Sequence, residues 1–419
     1  MKRLSAEKRF STAQNALMNT VGTVTYFFFQ WLITLAVVRL STDENVGLLQ
    51  LAMTVSNAFL ALANYNMRVY QVSDIRREYA AGHYTASRLL TCGLAFVLCV
   101  GYAALWGYPL RTVLCIALYL LYRLTESLAD VLHGVDQNHD RMDHVAVSMV
   151  LRAVLMVACF VLVLRLSGSV LAASGAMFLV TLAVVLGYDL PAAARYEDIR
   201  PRWDREKIQR LLLACLPSMA ATVAFISIVT LSRQFLSDLQ GQVILGYYAT
   251  VATPVVFVQV VMASLMNPVV GDISAACLRR DRPAFLRLHA RLFLLVAAVG
   301  LLALGGILLL GEPVMVFLYG EKVRAYIDLM PLVLCTTVLY ALCCILQNTL
   351  VILRRMMLYL VFAGLSLLLT LVLGRPVIQA WGPNGVSIVI CLSYLLFLLC
   401  SLVPVVREIQ IWRREAVRS

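Results

Sequence analysis

The chain has 419 residues, of which 61% are hydrophobic and 14% charged, and its mean hydropathy is +0.85. An ordinary soluble domain carries about 25% charged residues, so this chain cannot cover itself with a water-compatible surface and lipid must be part of its solvent. The formal net charge of +12 does not indicate nucleic acid, because Lys and Arg fall in short breaks between apolar runs rather than on one basic patch.

A helix needs about 20 apolar residues to cross the hydrocarbon core. Runs of that kind predict twelve spans: 13–38, 47–66, 86–108, 110–132, 145–164, 168–190, 211–236, 243–267, 288–310, 329–350, 357–373 and 384–405. Lys2, Arg3, Lys8 and Arg9 precede the first run, but that run is too long for a signal peptide and no small-residue cleavage pattern follows it. It reads as a retained span. Only Gly107, Tyr108 and Pro109 separate the third apolar stretch from the fourth, which demands a tight reversal. The eleven cysteines lie mostly inside apolar runs, without a CxxC pair, and read as small buried hydrophobes rather than a disulfide or metal framework.

Arg39, Arg111, Arg165, Arg233, Lys322, Arg324 and Arg375 occupy one set of alternate loops, and Arg123 and Arg152 lie inside spans. The other 26 of the 35 Lys and Arg fall in the opposite set of loops. By the positive-inside rule both termini and the longest internal polar break, 191–210, are expected in the cytoplasm. That break predicts a division into 1–190, a linker 191–210 and 211–419. Six spans is an even number, so the two halves enter the membrane alike, as parallel repeats. A faint echo fits this: Arg39 ends a span before Val46-Gly47-Leu48-Leu49, and Arg233 ends one before Leu245-Gly246-Tyr247-Tyr248.

Polar groups at membrane depth cost free energy unless they face protein or water. Asn15, Asn19, Thr23, Tyr26, Gln30 and Thr34 make one stripe on the first span, and Gln50, Thr54, Asn57 and Asn64 make another on the second, ending at Arg68. Such stripes either wall a hydrated cavity or join helices through hydrogen bonds. In the fourth span Arg123, Glu126 and Asp130 share a face. Isolated charges there cost about 3 kcal/mol each, which leaves a structural clamp, with Arg152 as a further partner, or a polar path for protons or ions. Ser218, Thr222 and Thr230 lead along the seventh span to Arg233. Arg233 and Arg39 either snorkel to the interface or bind anions; a guanidinium fork suits phosphate. The turn His133-Gly-Val-Asp136-Gln-Asn-His139-Asp140-Arg-Met-Asp143-His144 lacks metal-ligand spacing and reads as a solvated loop. No nucleotide loop, nucleophile elbow or HExxH occurs, so neither a nucleotide nor another cofactor is expected, and no enzyme activity.

Several ordered segments resemble one family. They are Asn15-Ala-Leu-Met-Asn-Thr-Val-Gly22, Val38-Arg39-Leu, Val46-Gly-Leu-Leu, Gly134-Val-Asp-Gln137 with Arg141-Met-Asp143, Leu211-Leu-Leu-Ala-Cys-Leu-Pro217, Leu245-Gly-Tyr-Tyr-Ala249, Val316-Phe-Leu-Tyr-Gly320 and Trp381-Gly-Pro-Asn-Gly385. Together they are similar to the polysaccharide repeat-unit flippases of the multidrug/oligosaccharidyl-lipid/polysaccharide (MOP) exporter superfamily. The resemblance implies two six-helix bundles in a V around a central cationic cavity in the bacterial cytoplasmic membrane. It implies an undecaprenyl-pyrophosphate-linked oligosaccharide moved outward by alternating access, driven by a coupling proton or sodium ion. Polysaccharide polymerase and chain-length machinery are the protein partners it suggests. Gln30, Asn57, Asn64, Arg68 and Arg233, with Arg39, Arg123 and Arg152, are the candidate substrate-cavity residues, and Glu126 and Asp130 the candidate ion-coupling carboxylates. A cation-coupled multidrug or small-solute antiporter of the same fold is the alternative. A major-facilitator transporter fits less well, since Asp74-Ile-Arg-Arg77 is a poor match to its Gly-Asp-Arg motif. A membrane polymerase or ligase would carry a large periplasmic loop, which the sequence lacks.

Overall fold

The computed structural model describes residues 11–266 and 268–418. The basic cluster Lys2, Arg3, Lys8 and Arg9, and Asn267 at the end of the eighth expected span, lie outside the described residues. Among those described there is no strand, and twelve helices are long and apolar enough to cross a membrane. The helices are α1 (Thr12–Leu40), α2 (Asp43–Asn64), α3 (Met67–Val72), α4 (Ala81–Leu105), α5 (Leu110–Asn138), α6 (Met142–Ser167), α7 (Val170–Val184) and α8 (Leu190–Ala193). They continue with α9 (Arg205–Gln240), α10 (Gln242–Met266), α11 (Val269–Leu278), α12 (Arg282–Tyr319), α13 (Met330–Ile352), α14 (Met356–Trp381) and α15 (Pro383–Arg418). A π turn, Val185–Asp189, joins α7 to α8, and a 3-10 segment, Glu321–Leu329, joins α12 to α13.

Local chemistry sets the ends. Ser11 caps α1 in a reciprocal box with Gln14: its hydroxyl accepts from the Gln14 amide at 3.2 Å, and the Gln14 side chain accepts from the Ser11 amide at 3.0 Å. The tight reversal between α4 and α5 is made with Gly107 at φ +77°, a conformation that a Cβ penalises. The second span is broken. Tyr65 and Asn66 both adopt left-handed conformations, φ 51° and 50°, so α2 stops at Asn64 and α3 restarts at Met67. Two adjacent non-glycine residues in that region are costly and persist only where the surroundings hold them.

Packing divides the chain into two units. The first runs to Leu216 and includes 268–271; the second comprises Pro217–Met266 and the residues from Asp272 onward. The division falls inside α9, and the 191–210 connector packs with the first unit. In the first unit α5 is central, contacting α2, α3, α4, α6 and α7, while α1 lies along α6. In the second, α13 and α15 pack together, α14 covers α15, and α10 and α12 flank α13. Lipid offers helices no hydrophobic reason to associate, so close approach of small residues must serve instead. Ala52, Ala63, Ala95, Ala103, Ala129, Ala153 and Ala173 are accordingly fully buried, whereas Leu301, Leu302, Leu308 and Leu309 are exposed. A Cβ added at Gly22 would lie 2.7 Å from the Ala146 Cα, which is how closely α1 meets α6.

The connector forms a strap over the start of α4. The Arg202 amide donates to the Gly82 carbonyl at 3.0 Å, and a Cβ at Gly82 would come within 2.3 Å of the Arg200 carbonyl oxygen. Within the strap Arg202 donates to Asp198 at 3.0 Å, and that hydrogen bond holds the Asp198 carboxyl below its ordinary value.

Candidate substrate and ion sites

Each unit contains a cavity with arginine on its wall. The cavity of the first unit, about 380 Å³, is lined by Tyr26, Asn64, Arg68, Arg123, Glu126, Asp130, His133 and Arg152 among others. Its carboxylates are engaged. Glu126 receives Arg123 at 2.5 Å, lies 4.0 Å from Arg152 and accepts from the Tyr26 hydroxyl. Asp130 receives Arg68 at 2.9 Å and Arg88 at 3.3 Å. Four guanidinium groups thus face Glu126 and Asp130, with Asp189 a third carboxylate near Arg152, which leaves one positive charge uncompensated within the cluster. A surplus of this sign favours an anion.

Arg88 is a residue that sequence reasoning missed. Counted there with the loops, it sits in the second turn of α4 with no exposure. It donates to the Ala63 carbonyl at 2.9 Å, to Ser127 at 3.0 Å and to Asn64 at 3.4 Å. Thr91 donates to the same Ala63 carbonyl at 2.9 Å. The break after Asn64 frees Ala63 from the helical ladder, and α4 supplies the missing donors. The signal was present: Tyr84, Arg88, Thr91 and Ala95 share one helical face, so Arg88 was set to point inward.

The remaining candidates separate. Asn64 accepts from Ser127 at 2.7 Å and lines the cavity; Arg68 also donates to Gln137 at 3.1 and 3.2 Å. The α1 stripe largely makes interhelical bonds. Asn15 accepts from the Met142 amide at 3.3 Å, Tyr26 meets Tyr122 at 2.6 Å, and Gln30 donates to Tyr122 at 3.3 Å. Asn57 is exposed on α2, with Gln50 and Thr54, and Arg39 is exposed in the last turn of α1. Neither Asn57 nor Arg39 joins the charged cluster.

The segment expected as a solvated turn is different in kind. Helix α5 continues to Asn138, and His133 and Asp136 are buried. Glu126, Asp130, His133 and Gln137 recur every three or four residues, so the helical period could have extended the span. Among the described residues no group of three or more His, Cys, Asp or Glu is placed to hold a metal ion.

The second unit's cavity, about 300 Å³, is lined by Thr222, Phe225, Arg233, Tyr248, Gln259, Tyr340, Gln347, Tyr359 and Tyr394 among others. No carboxylate is on its wall among the described residues, and Arg233 has no ion-pair partner among them. The Arg233 Nε and the Gln347 side-chain nitrogen are buried donors without an acceptor. Arg233 therefore differs from Arg68, Arg88, Arg123 and Arg152, each of which already faces an acid.

Among the described residues, twelve helices long and apolar enough to cross a membrane, packed into two units that each hold a cavity, define a polytopic membrane protein, and its fold is that of MOP-superfamily transporters. Outward-facing coordinates of a MATE-family multidrug transporter of that superfamily superpose with a TM-score of 0.78 at 15% identity, covering 97% of this chain and 98% of that one. The bent form of the Vibrio cholerae MATE transporter VcmN gives 0.75 at 13% identity over 97% of both chains. A Pyrococcus furiosus MOP transporter, described as having a binding pocket of reverse polarity, gives 0.74 at 14%, covering 97% and 96%. Residues 12–272 match the polysaccharide biosynthesis protein family, and the chain belongs to it. The capsular polysaccharide biosynthesis protein CapF of Staphylococcus aureus is 21% identical over 301 residues, 70% of this chain and 74% of that protein.

Proposed function

We propose that this transporter flips undecaprenyl-pyrophosphate-linked oligosaccharide repeat units from the inner to the outer leaflet of the bacterial cytoplasmic membrane by ion-coupled alternating access. The observation that carries the reading is Arg233, an arginine on the wall of a cavity with no carboxylate among the described residues. Arg233 is half-buried; a cation drawn partly out of water without a counter-ion is costly, and a pyrophosphate would complete it through bidentate charge-assisted bonds. Tyr340, Tyr359 and Tyr394 line the same cavity. The surplus of arginine in the first unit supports an anionic cargo as well. Family membership ties that cargo to polysaccharide assembly. The sequence carries no nucleotide-binding motif, so the drive is assigned to an ion; one charge crossing the membrane potential supplies about 2.3 kcal/mol per 100 mV.

The alternative, a cation-coupled multidrug or small-solute antiporter, draws on the aromatic wall of the second cavity, which would suit a planar organic cation. Arg233 opposes it by repelling such a cation. The deciding experiment places purified protein in proteoliposomes with lipid-linked repeat units in one leaflet and follows their appearance in the other. Flipping under an imposed ion gradient is expected. Export of cationic dyes without flipping would overturn the proposal in favour of the antiporter.

A further inference from the structure

Below the first unit's cavity, α5 carries two buried histidine–aspartate pairs that the substrate reading leaves unused. His133 meets Asp189 at 3.2 Å, and His144 of α6 meets Asp136 at 3.4 Å. Both aspartates are about 1% exposed, and each has one carboxylate oxygen on a histidine while the other is buried without a hydrogen bond. Asp189 closes the π turn Val185–Asp189. Such turns insert a residue into the helical register and re-aim the side chain that follows, and they recur at functional sites. Ser148 of α6 lies beside Asp189, and its hydroxyl is also without a partner of ordinary geometry.

We infer that the His133–Asp189 pair is the site where the coupling ion binds, that the ion is a proton, and that Asp136–His144 passes it on toward the end of α5. The inference rests on the ion-coupled reading of the preceding subsection. Glu126 and Asp130 are poor carriers by comparison, since each is clamped by two arginines and a proton would have to displace a guanidinium. His133 has no such clamp. It lines the cavity, with Asp189 on one side and Asp130, which carries Arg68 and Arg88, on the other. Asp189 faces His133 and, from α6, Arg152; α7 and α8 present no charged side chain. Around the second pair stand Arg141, Asp143, Tyr188 and Tyr196. A proton from cavity water binds the His133 ring and makes an imidazolium held by the Asp189 carboxylate. Its release to water past Asp136 and His144 restores the neutral ring, so the cycle needs no other reactant. Sodium is disfavoured because it prefers several oxygen ligands, whereas an imidazole occupies one side of this site.

The test uses the whole protein in lipid nanodiscs without substrate, with nitrogen-labelled histidine. The chain has five histidines, so His133→Gln assigns the resonance. Protonation of His133 is expected in the wild type, and Asp189→Asn is expected to weaken its proton binding at least tenfold. A His133 resonance that does not titrate, or that Asp189→Asn leaves unmoved, overturns the site. In proteoliposomes a pH gradient should accelerate flipping by the wild type and have no effect on His133→Gln, with the thermal melting of the variant establishing that it is folded. An equal response of both proteins, or drive by sodium alone, overturns the coupling role. If the wild type flips no lipid-linked oligosaccharide under any gradient, the proposed function fails, and the titration still decides the proton site.

Discussion

Arg233 and Arg88 are the same kind of side chain placed in opposite circumstances. Arg88 is surrounded by acceptors from α2 and α5, so its role is structural, and the group that balances it is Asp130. Asp130→Asn removes the charge shared by Arg68 and Arg88 and leaves Arg88 buried without an acid. Breaking a buried pair from one side costs about 3 kcal/mol, and a clear fall in melting temperature in detergent is the expected result. Arg233 has nothing to lose in the empty protein. Arg233→Ala should melt close to the wild type yet bind pyrophosphate-bearing substrate about 2 kcal/mol more weakly, roughly 30-fold. Arg233→Lys should recover part of that, because an ammonium keeps the charge and loses the fork. Accumulation of lipid-linked repeat units on the inner leaflet of a strain lacking the native gene measures both. Normal transport by Arg233→Ala would return Arg233 to the interface as a snorkelling residue. The acid–arginine pairing of Glu126 with Arg123 was legible from i, i+3 spacing. The face shared by Tyr84, Arg88, Thr91 and Ala95 pointed Arg88 inward, but hydropathy alone hides its burial, because it cannot tell a helix end in water from a second turn roofed by other helices.

The second span and the strap are where elements depart from a simple reading. The expected span ends at 66, and Asn64, Asn66 and Arg68 interrupt the apolar run there, but the restart of the helix at Met67 is not marked by the pattern; tertiary bonds from Arg88 and Thr91 to the Ala63 carbonyl stabilise the break. The strap depends on Gly82. Gly82→Ala puts a methyl group into the Arg200 carbonyl at 2.3 Å, and a rigid backbone clash of this kind costs about 1–3 kcal/mol. Proteolysis of the intact protein should then cut within 194–204 faster than in the wild type. The same segment should loosen in acid. The folded Asp198 carboxyl is held below its ordinary value by Arg202, so its contribution is full above the unfolded value of about 3.9 and is lost as pH falls through the folded one. Asp198→Asn should remove this acid sensitivity of the cleavage rate.

For the whole molecule, the distribution of 26 basic residues against 7 predicts an orientation that labelling can check. In a cysteine-free background, single cysteines replacing Arg202 and Arg414 should resist a membrane-impermeant reagent added from outside. One replacing Lys322 should react. Labelling at Arg202 from outside would invert the topology and with it the direction of transport. The two units also divide the chemistry. Paired charges and the histidine–aspartate ladder lie in the first, and the unpaired arginine with its aromatic wall lies in the second. Substitutions in the first unit should therefore alter the gradient dependence of transport, while those at Arg233 should alter its dependence on substrate concentration.

The sequence by itself determined the solvent of this protein, the number of spans and the order of the motifs that mark its family, because each follows from local composition: about 20 apolar residues must cross as a helix wherever they occur. Tertiary structure decided which polar groups meet. Asp130 could have served Arg123 or Arg152 as readily as Arg68 and Arg88, and His133 could have stood in water. Pairing between residues 42 or 56 positions apart depends on how helices rotate and pack against one another, and in lipid that rotation is set by small-residue contacts and hydrogen bonds rather than by the apolar period each helix displays.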